Sequence, residues 1–230
     1  MNTYDTVIWD LDGTLLNTLV DLKNSVNYAM NALGYPERSL SEIRVFVGNG
    51  VKTLVGLSIP DGTDNPDYDK AYDLFCEYYG EHNLDNTCPY DGVTEVIDEL
   101  KRRGVKQAIV SNKINSAVLK LNEQFFNVDF AIGVTDYETR KPAPDMVFKA
   151  IEELGAKSES TVYVGDSEVD LKTARNAGLD SISVLWGFRN RAEIEPLNPQ
   201  CMIEKPDEIL NFIPVLPLSL LRLQVGQNNL

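Results

Sequence analysis

The sequence predicts an α/β protein: a Rossmann-like parallel sheet core with a small all-helical segment inserted after its first strand. Three observations carry this reading. Five short apolar runs have the length of buried strands, amphipathic helical patterns lie between them, and residues 17–83 hold helical patterns with no convincing strand. Strands alternating with helices imply a parallel sheet covered on both faces.

Taken in order, Thr6 to Trp9 is an apolar run that ends in Asp10, as expected of a buried parallel strand. The insertion follows. Leu19, Leu22, Val26, Ala29, Met30 and Leu33 mark one of its helices, and Tyr68, Tyr72, Phe75, Cys76 and Tyr79 mark another. Its connections, near Leu16–Thr18 and Leu84–Pro89, are the natural hinges. Val93, Val96, Ile97 and Leu100 recur at helical spacing, as do Met146, Val147, Ala150, Ile151 and Leu154. The remaining strand candidates are Gln107–Val110, Phe130–Ile132, Thr161–Val164 and Ser181–Leu185. The expected organisation is thus a core of residues 1–16 and 84–213, a helical insertion of 17–83, and a tail of 214–230. The tail is apolar but broken by Pro214 and Pro217, and its role stays open.

Bulk properties narrow the function classes. Acidic residues outnumber Lys and Arg by 35 to 21, a formal net charge of -14, which repels nucleic acid and gives no basic patch for it. An anionic substrate then needs a local positive site, which a divalent cation can supply. Three scattered cysteines without a CxxC pair argue against a disulfide framework or zinc ribbon and predict a reducing, cytoplasmic setting. No signal-peptide pattern and no apolar run of about 18 residues is present, so no membrane partner is expected.

Four segments carry chemistry. In Asp10-Leu11-Asp12-Gly13-Thr14, extended alternation lets Asp10 and Asp12 point the same way at the carboxyl end of a strand, where open α/β sheets bind ligands. In Gly165-Asp166-Ser167-Glu168-Val169-Asp170, a helical turn brings Asp166 and Asp170 to one side. Val110-Ser111-Asn112-Lys113 again sets small polar groups after a strand, suited to phosphate oxygens. In Thr139-Arg140-Lys141-Pro142, the proline keeps Lys141 out of helix, a plausible phosphate clamp and counter-charge. Each has a plainer reading as a turn, a helix cap or a solvated lysine. Together Asp10, Asp12 and Asp166 offer hard oxygen ligands suited to magnesium, and no His/Cys set exists for zinc. His82, the sole histidine, reads as a surface or packing residue.

In this order the four segments resemble the motifs of the haloacid dehalogenase superfamily, over almost the whole chain to about residue 213. VSNK, RKPAPD, GDSEVDLKTARNAG and Trp186-Gly187 are most similar to its phosphoglycolate phosphatase group. The resemblance implies that the helical insertion is a mobile cap. It implies that Asp10 is the nucleophile forming an aspartyl-phosphate and that Asp12 is the general acid and base. Mg2+ would be held by Asp10, Asp166 and the Asp12 backbone carbonyl. Ser111 and Lys141 would hold the phosphoryl oxygens with help from Thr14 and Asn112, and Asp170 would orient Lys141 or the metal shell. The expected activity is hydrolysis of a small phosphorylated metabolite, phosphoglycolate favoured, by a monomer or homodimer. Arg44, Asn49 and Lys52, near Gly48-Asn49-Gly50, are candidates for the leaving portion of the substrate.

Rival expectations are a phosphomutase resembling β-phosphoglucomutase, a phosphatase for nucleotides, pyrophosphate or sugar phosphates, and a catalytically silent binding module on the same fold. The complete set Asp10, Asp12, Ser111, Lys141 and Asp166 speaks against the last. One departure stands out: the family often has an acidic residue where this chain has Asn17, which removes a charge at the hinge.

Overall fold

The computed structural model describes residues 4–213; the tail expected over 214–230 lies outside them. In chain order the first elements are β1 (Thr6–Trp9), β2 (Leu16–Asn17), α1 (Leu19–Leu33), α2 (Leu40–Phe46), α3 (Val51–Ser58), α4 (Tyr68–His82) and β3 (Cys88–Pro89). Then come α5 (Val93–Arg102), β4 (Lys106–Ile114), α6 (Asn115–Leu121), β5 (Phe130–Val134) and α7 (Asp145–Glu153). The last are β6 (Thr161–Gly165), α8 (Glu168–Ala177), β7 (Asp180–Val184), α9 (Arg191–Ile194) and β8 (Cys201–Ile203).

Six strands form one sheet in the order β5-β4-β1-β6-β7-β8, with every neighbouring pair parallel. β1 is central and all four of its residues are buried. The chain first builds outward from β1 through β4 to β5, then returns to its other side for β6, β7 and β8. That reversal of strand order opens a crevice at the carboxyl end of β1, where parallel sheets bind ligands.

The pleat sorts side chains to the two faces. Val7 and Trp9 pack with Ile109, Val162, Val164 and the α5 residues Val96, Ile97 and Leu100. Ile8 packs on the other face with Ala108, Val110, Tyr163 and the α7 residues Met146, Val147 and Ala150. Alternate residues of a strand facing opposite layers explains why these strands read as unbroken apolar runs.

Two strand readings change. β4 runs on from Val110 through Ile114, because Ser111, Asn112 and Lys113 are polar yet buried and stay in extended conformation. β8 was not foreseen: it is only three residues long and extends the sheet beyond β7, too brief to show periodicity.

Between β2 and β3 the chain forms α1 to α4 around a second core that includes Leu22, Val26, Met30, Ile43, Leu54, Phe75 and Tyr79. Gly34, at φ 76, ends α1 in the left-handed conformation that a side chain rarely adopts. Ser39 and Glu42 form a reciprocal capping box that starts α2. The outgoing and returning connections pair as antiparallel β2 and β3.

The buried carboxylate of Asp21, in the first turn of α1, accepts from the backbone N–H groups of Asn86 and Thr87 and from both their side chains, at 2.8 to 3.0 Å. It ties the start of the helical segment to its return. Replacing Asp21 with Ala would strand buried donors of Thr87, at a cost of about 2–4 kcal/mol for lost charge-assisted bonds. Urea unfolding checks this; a loss below about 1 kcal/mol would mean that this junction does not depend on Asp21.

Candidate active site

The site is built where β1, β4, β6 and the loop before α7 meet. Asp10 follows β1 directly, and its N–H donates to the Val164 carbonyl on β6 at 2.8 Å, which sets its position. Only 6 % of Asp10 is exposed. The Lys141 ammonium, 2 % exposed, donates to Asp10 Oδ1 at 2.7 Å, to Asp170 Oδ1 at 2.8 Å and to the Tyr163 hydroxyl at 3.0 Å.

Lys141 is aimed by its own backbone. Its N–H donates to Asn112 Oδ1 at 2.7 Å, and Asn112 Nδ2 donates back to its carbonyl at 3.0 Å. Asn112 Nδ2 also donates to the Gly48 carbonyl at 2.9 Å, so this amide spans the loop, β4 and the helical segment. Its hydrogen-bonding capacity is thus largely committed to backbone.

Asp166 follows β6 and lies across from Asp10. It accepts from the Phe188 N–H at 2.6 Å and from the Thr14 hydroxyl at 3.4 Å. Two glycines permit this contact. A Cβ on Gly13 would fall 2.4 Å from Asp166 Oδ2, and one on Gly187 would fall 2.6 Å from it. Asp170 Oδ2 accepts from the Ser167 N–H and hydroxyl, the capping box at the start of α8, while its Oδ1 faces Lys141. Ser111 is buried on β4, its hydroxyl accepting from the Lys113 N–H at 3.2 Å.

The charges do not balance. Carboxylate oxygens of Asp10, Asp166 and Asp170 lie within 4.8 Å of one another, all buried. Burial, then the charge of Asp170, pushes the Asp10 carboxyl well above its ordinary value, although Lys141 pulls against this. The same two causes raise Asp166 to about 7. Lys141 is itself raised well above an ordinary lysine: burial opposes its charge, but Asp10 and Asp170 outweigh burial. One ammonium against three carboxylates leaves a negative excess in a cluster of hard oxygen donors. Such a donor set suits a divalent cation.

The structure therefore brings Asp10, Asp12, Thr14, Ser111, Asn112, Lys141, Asp166 and Asp170 to one sheet edge. It does not bring Arg44, Asn49 and Lys52 to the cavity beside them. The Arg44 guanidinium is held by Glu193, at 3.0 and 3.3 Å, and by the Phe188 carbonyl. Lys52 is exposed, with its ammonium over the Tyr137 ring. Asn49 contributes its carbonyl to the Thr53 hydroxyl. The backbone of Gly48 and Gly50, rather than the Asn49 side chain, walls the cavity. A Cβ on Gly50 would sit 3.2 Å from the Asn112 carbonyl, so the chain passes too close for side chains to intervene. His82 stacks on Tyr78 and pairs with Asp85, outside the site.

Lys113, Tyr163 and Tyr79 belong to the site and had not been singled out for it. The Lys113 ammonium donates to Asp12 Oδ1 at 2.7 Å and lies 4.8 Å from the centroid of the Tyr79 ring. A signal existed: if β4 continues, Ser111 and Lys113 share a face by the two-residue period. Tyr163 gave none, since an aromatic inside an apolar strand reads as core.

A profile of the haloacid dehalogenase-like hydrolases matches residues 7–184. The chain is 31 % identical over 219 residues to a phosphoglycolate phosphatase of Vibrio parahaemolyticus, covering 91 % of this chain and 96 % of that one. It is 32 % identical over 217 residues to the pyrophosphatase PpaX of Bacillus cereus, again with 91 % and 96 % covered. A crystal structure from Lactobacillus delbrueckii subsp. bulgaricus, provisionally named a phosphoglycolate phosphatase, superposes with a TM-score of 0.84 at 32 % identity, covering 92 % and 99 % of the two chains.

The charge excess makes stability depend on pH in a known direction. Asp166 is raised from 3.8 to about 7, so between those values the folded state holds a proton that the unfolded state has released. Its effect on stability is nil below that window, grows with rising pH and is complete above it, and it is destabilising. Glu193, lowered from 4.5 first by its bond from Arg44, acts only around and below 4.5, at the acid end of this range. With divalent cations chelated, the melting temperature should therefore fall as pH rises from about 5 to 8, and added divalent cation at the upper end should restore it. Differential scanning calorimetry checks both; a flat profile would show that the cluster carries no excess charge.

Proposed function

The chain belongs to the haloacid dehalogenase-like hydrolase family, and from that premise we propose that it is a magnesium-dependent phosphatase acting on a small phosphate monoester, with phosphoglycolate favoured. The observation that carries the reading is the Asp10–Lys141 pair: a buried carboxylate at the end of the central strand, held 2.7 Å from a buried ammonium and facing a cavity.

In this reading Asp10 attacks phosphorus. The bond from phosphorus to the leaving oxygen breaks as the aspartyl-phosphate forms. Asp12 gives the leaving oxygen its proton, then takes one from the water that cleaves the intermediate. Asp12 is oriented for this work by Lys113, whose ammonium donates to its Oδ1 at 2.7 Å. Lys141 and Ser111 bind phosphoryl oxygens, and Asp170 and Tyr163 keep Lys141 in place. Thr14 steadies Asp166 through its hydroxyl.

Asp10 and Asp166, with the Asp12 backbone carbonyl, would hold the ion. The buried, raised carboxylates fit this role, since a cation stabilises the ionised form that a nucleophile needs. Bound magnesium supplies positive charge that lets an anionic carboxylate approach an anionic phosphoryl group. We assign residues 17–83 the role of a cap over this site, because α1, α3 and α4 contribute Leu22, Leu54 and Tyr79 to the cavity wall. Among the described residues no helix is long and apolar enough to cross a membrane.

Pyrophosphate is the second reading, supported by the 32 % identity to PpaX. Phosphate release from phosphoglycolate, pyrophosphate, hexose phosphates and nucleotides, with magnesium or with chelator, distinguishes them. One compound should stand out, chelation should abolish its turnover, and Asp10→Asn should lower kcat by at least about 10³-fold while the fold persists. Substantial turnover by a folded Asp10→Asn protein would remove Asp10 as nucleophile. Silence of the native protein across the panel would instead favour the phosphomutase or the binding module.

A further inference from the structure

The cavity beside Asp10 lies between the sheet and the helical segment and has a volume of about 40 Å³. A water needs roughly 10–15 Å³ on this scale, so the space between the two walls suits a compact group. Its helical wall is apolar at Leu22, Val47, Val51 and Leu54. One polar group, Tyr79 on α4, interrupts that wall, and Lys113 on β4 faces the cavity from the sheet side.

Both have unused hydrogen-bonding capacity. Tyr79 is 2 % exposed and its hydroxyl makes no hydrogen bond of good geometry, although the Lys113 ammonium is close enough to act on it both as a charge and as a donor to its oxygen, which leaves the O–H itself without an acceptor. A buried donor without a partner costs about 1–3 kcal/mol, which a ligand oxygen would relieve. Lys113 spends one of its three N–H donors on Asp12 and is 4 % exposed. Burial holds the Tyr79 phenol protonated, at about 12, so it serves as a donor at neutral pH.

We infer that the Tyr79 hydroxyl and the Lys113 ammonium form the subsite for the end of the substrate remote from the reacting phosphorus, and that this end is a compact oxyanion, either a carboxylate or a second phosphoryl group. This rests on the phosphatase reading and narrows its substrate class. Tyr79 comes from the helical segment and Lys113 from the sheet, so such a group is held only when the two sides meet. Lys113 also touches Asp12, which places the recognised oxyanion beside the carboxylate that protonates the leaving oxygen.

The test measures binding without turnover. In the Asp10→Asn protein with magnesium present, calorimetric titration would compare phosphoglycolate, pyrophosphate and ethyl phosphate, the last having no second anionic group. Tyr79→Phe, which keeps the ring and its packing, would then be added. A bond from a neutral donor to a charged acceptor predicts an affinity loss of about 10- to 100-fold for the two ligands with an anionic remote end. Ethyl phosphate should change by no more than about twofold, within the scatter expected without a lost contact. Either phosphoglycolate or pyrophosphate alone responding identifies the anion, a carboxylate or a phosphoryl group. Equal losses for all three, or none for any, overturns the subsite. As a second measurement on the native protein, glycolate should inhibit competitively and ethylene glycol should not; equal inhibition also overturns it. Absence of turnover with normal binding selectivity would sink the phosphatase reading and leave the subsite standing.

Discussion

The Lys141 ammonium is the interaction on which the rest of the site depends. Asp10 and Asp170 both lie within 2.8 Å of it, and the Tyr163 hydroxyl completes its shell. Without it, three buried carboxylates would face one another with no counter-charge, an arrangement that proteins avoid by protonation or by moving the chain. Much of the surrounding geometry serves to deliver this one side chain. Asn112 grips its backbone from both sides, β6 presents Tyr163, and α8 presents Asp170 through the capping box at Ser167. Because one lysine offsets only part of the acidic charge, the same geometry that stabilises Asp10 also leaves a vacancy of charge suited to a cation.

The helical segment is fastened to the sheet by backbone carbonyls as much as by side-chain packing. Arg189, 7 % exposed, donates to the carbonyls of Arg44, Val45 and Val47 where α2 ends, and to Glu168. Arg44 returns the contact by donating to the Phe188 carbonyl and to Glu193. Phe188 is also the residue whose N–H holds Asp166. Thus the loop that positions an acidic ligand candidate is the loop that grips α2. Asn112 makes a similar double connection, to Lys141 on one side and Gly48 on the other. The contacts that fasten the helical segment and those that place the acidic cluster therefore share Phe188 and Asn112.

Much of this was legible in the sequence. Apolar runs gave β1, β4, β5, β6 and β7, and helical spacing gave α5 and α7, because burial on two faces leaves a strong pattern. The acidic positions stood out because carboxylates at the end of a buried strand are costly unless neutralised, and Lys141 because Pro142 restricts its backbone. What escaped was set by tertiary contact. Lys113 was hidden by the assumption that β4 ends at Val110, and β8 by its length of three residues. Arg44 looked like a substrate contact because it is a cation beside a glycine-rich turn; its partners Glu193 and Phe188 lie more than 140 residues away. Tyr79 shared the periodicity of a packing residue, which it also is, and only its unpartnered hydroxyl separates the two roles.

Asn17 shows how a lost charge can leave a hinge intact. It is exposed on β2, and its Oδ1 accepts from the Leu19 N–H at the start of α1, at 3.4 Å. An aspartate there would add attraction to the helix dipole of about 0.3–1 kcal/mol, screened at an exposed position. The asparagine gives up that term and keeps an acceptor for an otherwise unpaired helical N–H. Asp21, one turn further in, supplies a buried carboxylate bonded to the returning strand segment at Asn86 and Thr87. Four donors on a buried carboxylate outweigh one long bond to an exposed group. The denser set of bonds at this junction thus belongs to Asp21, and position 17 adds one exposed contact to it.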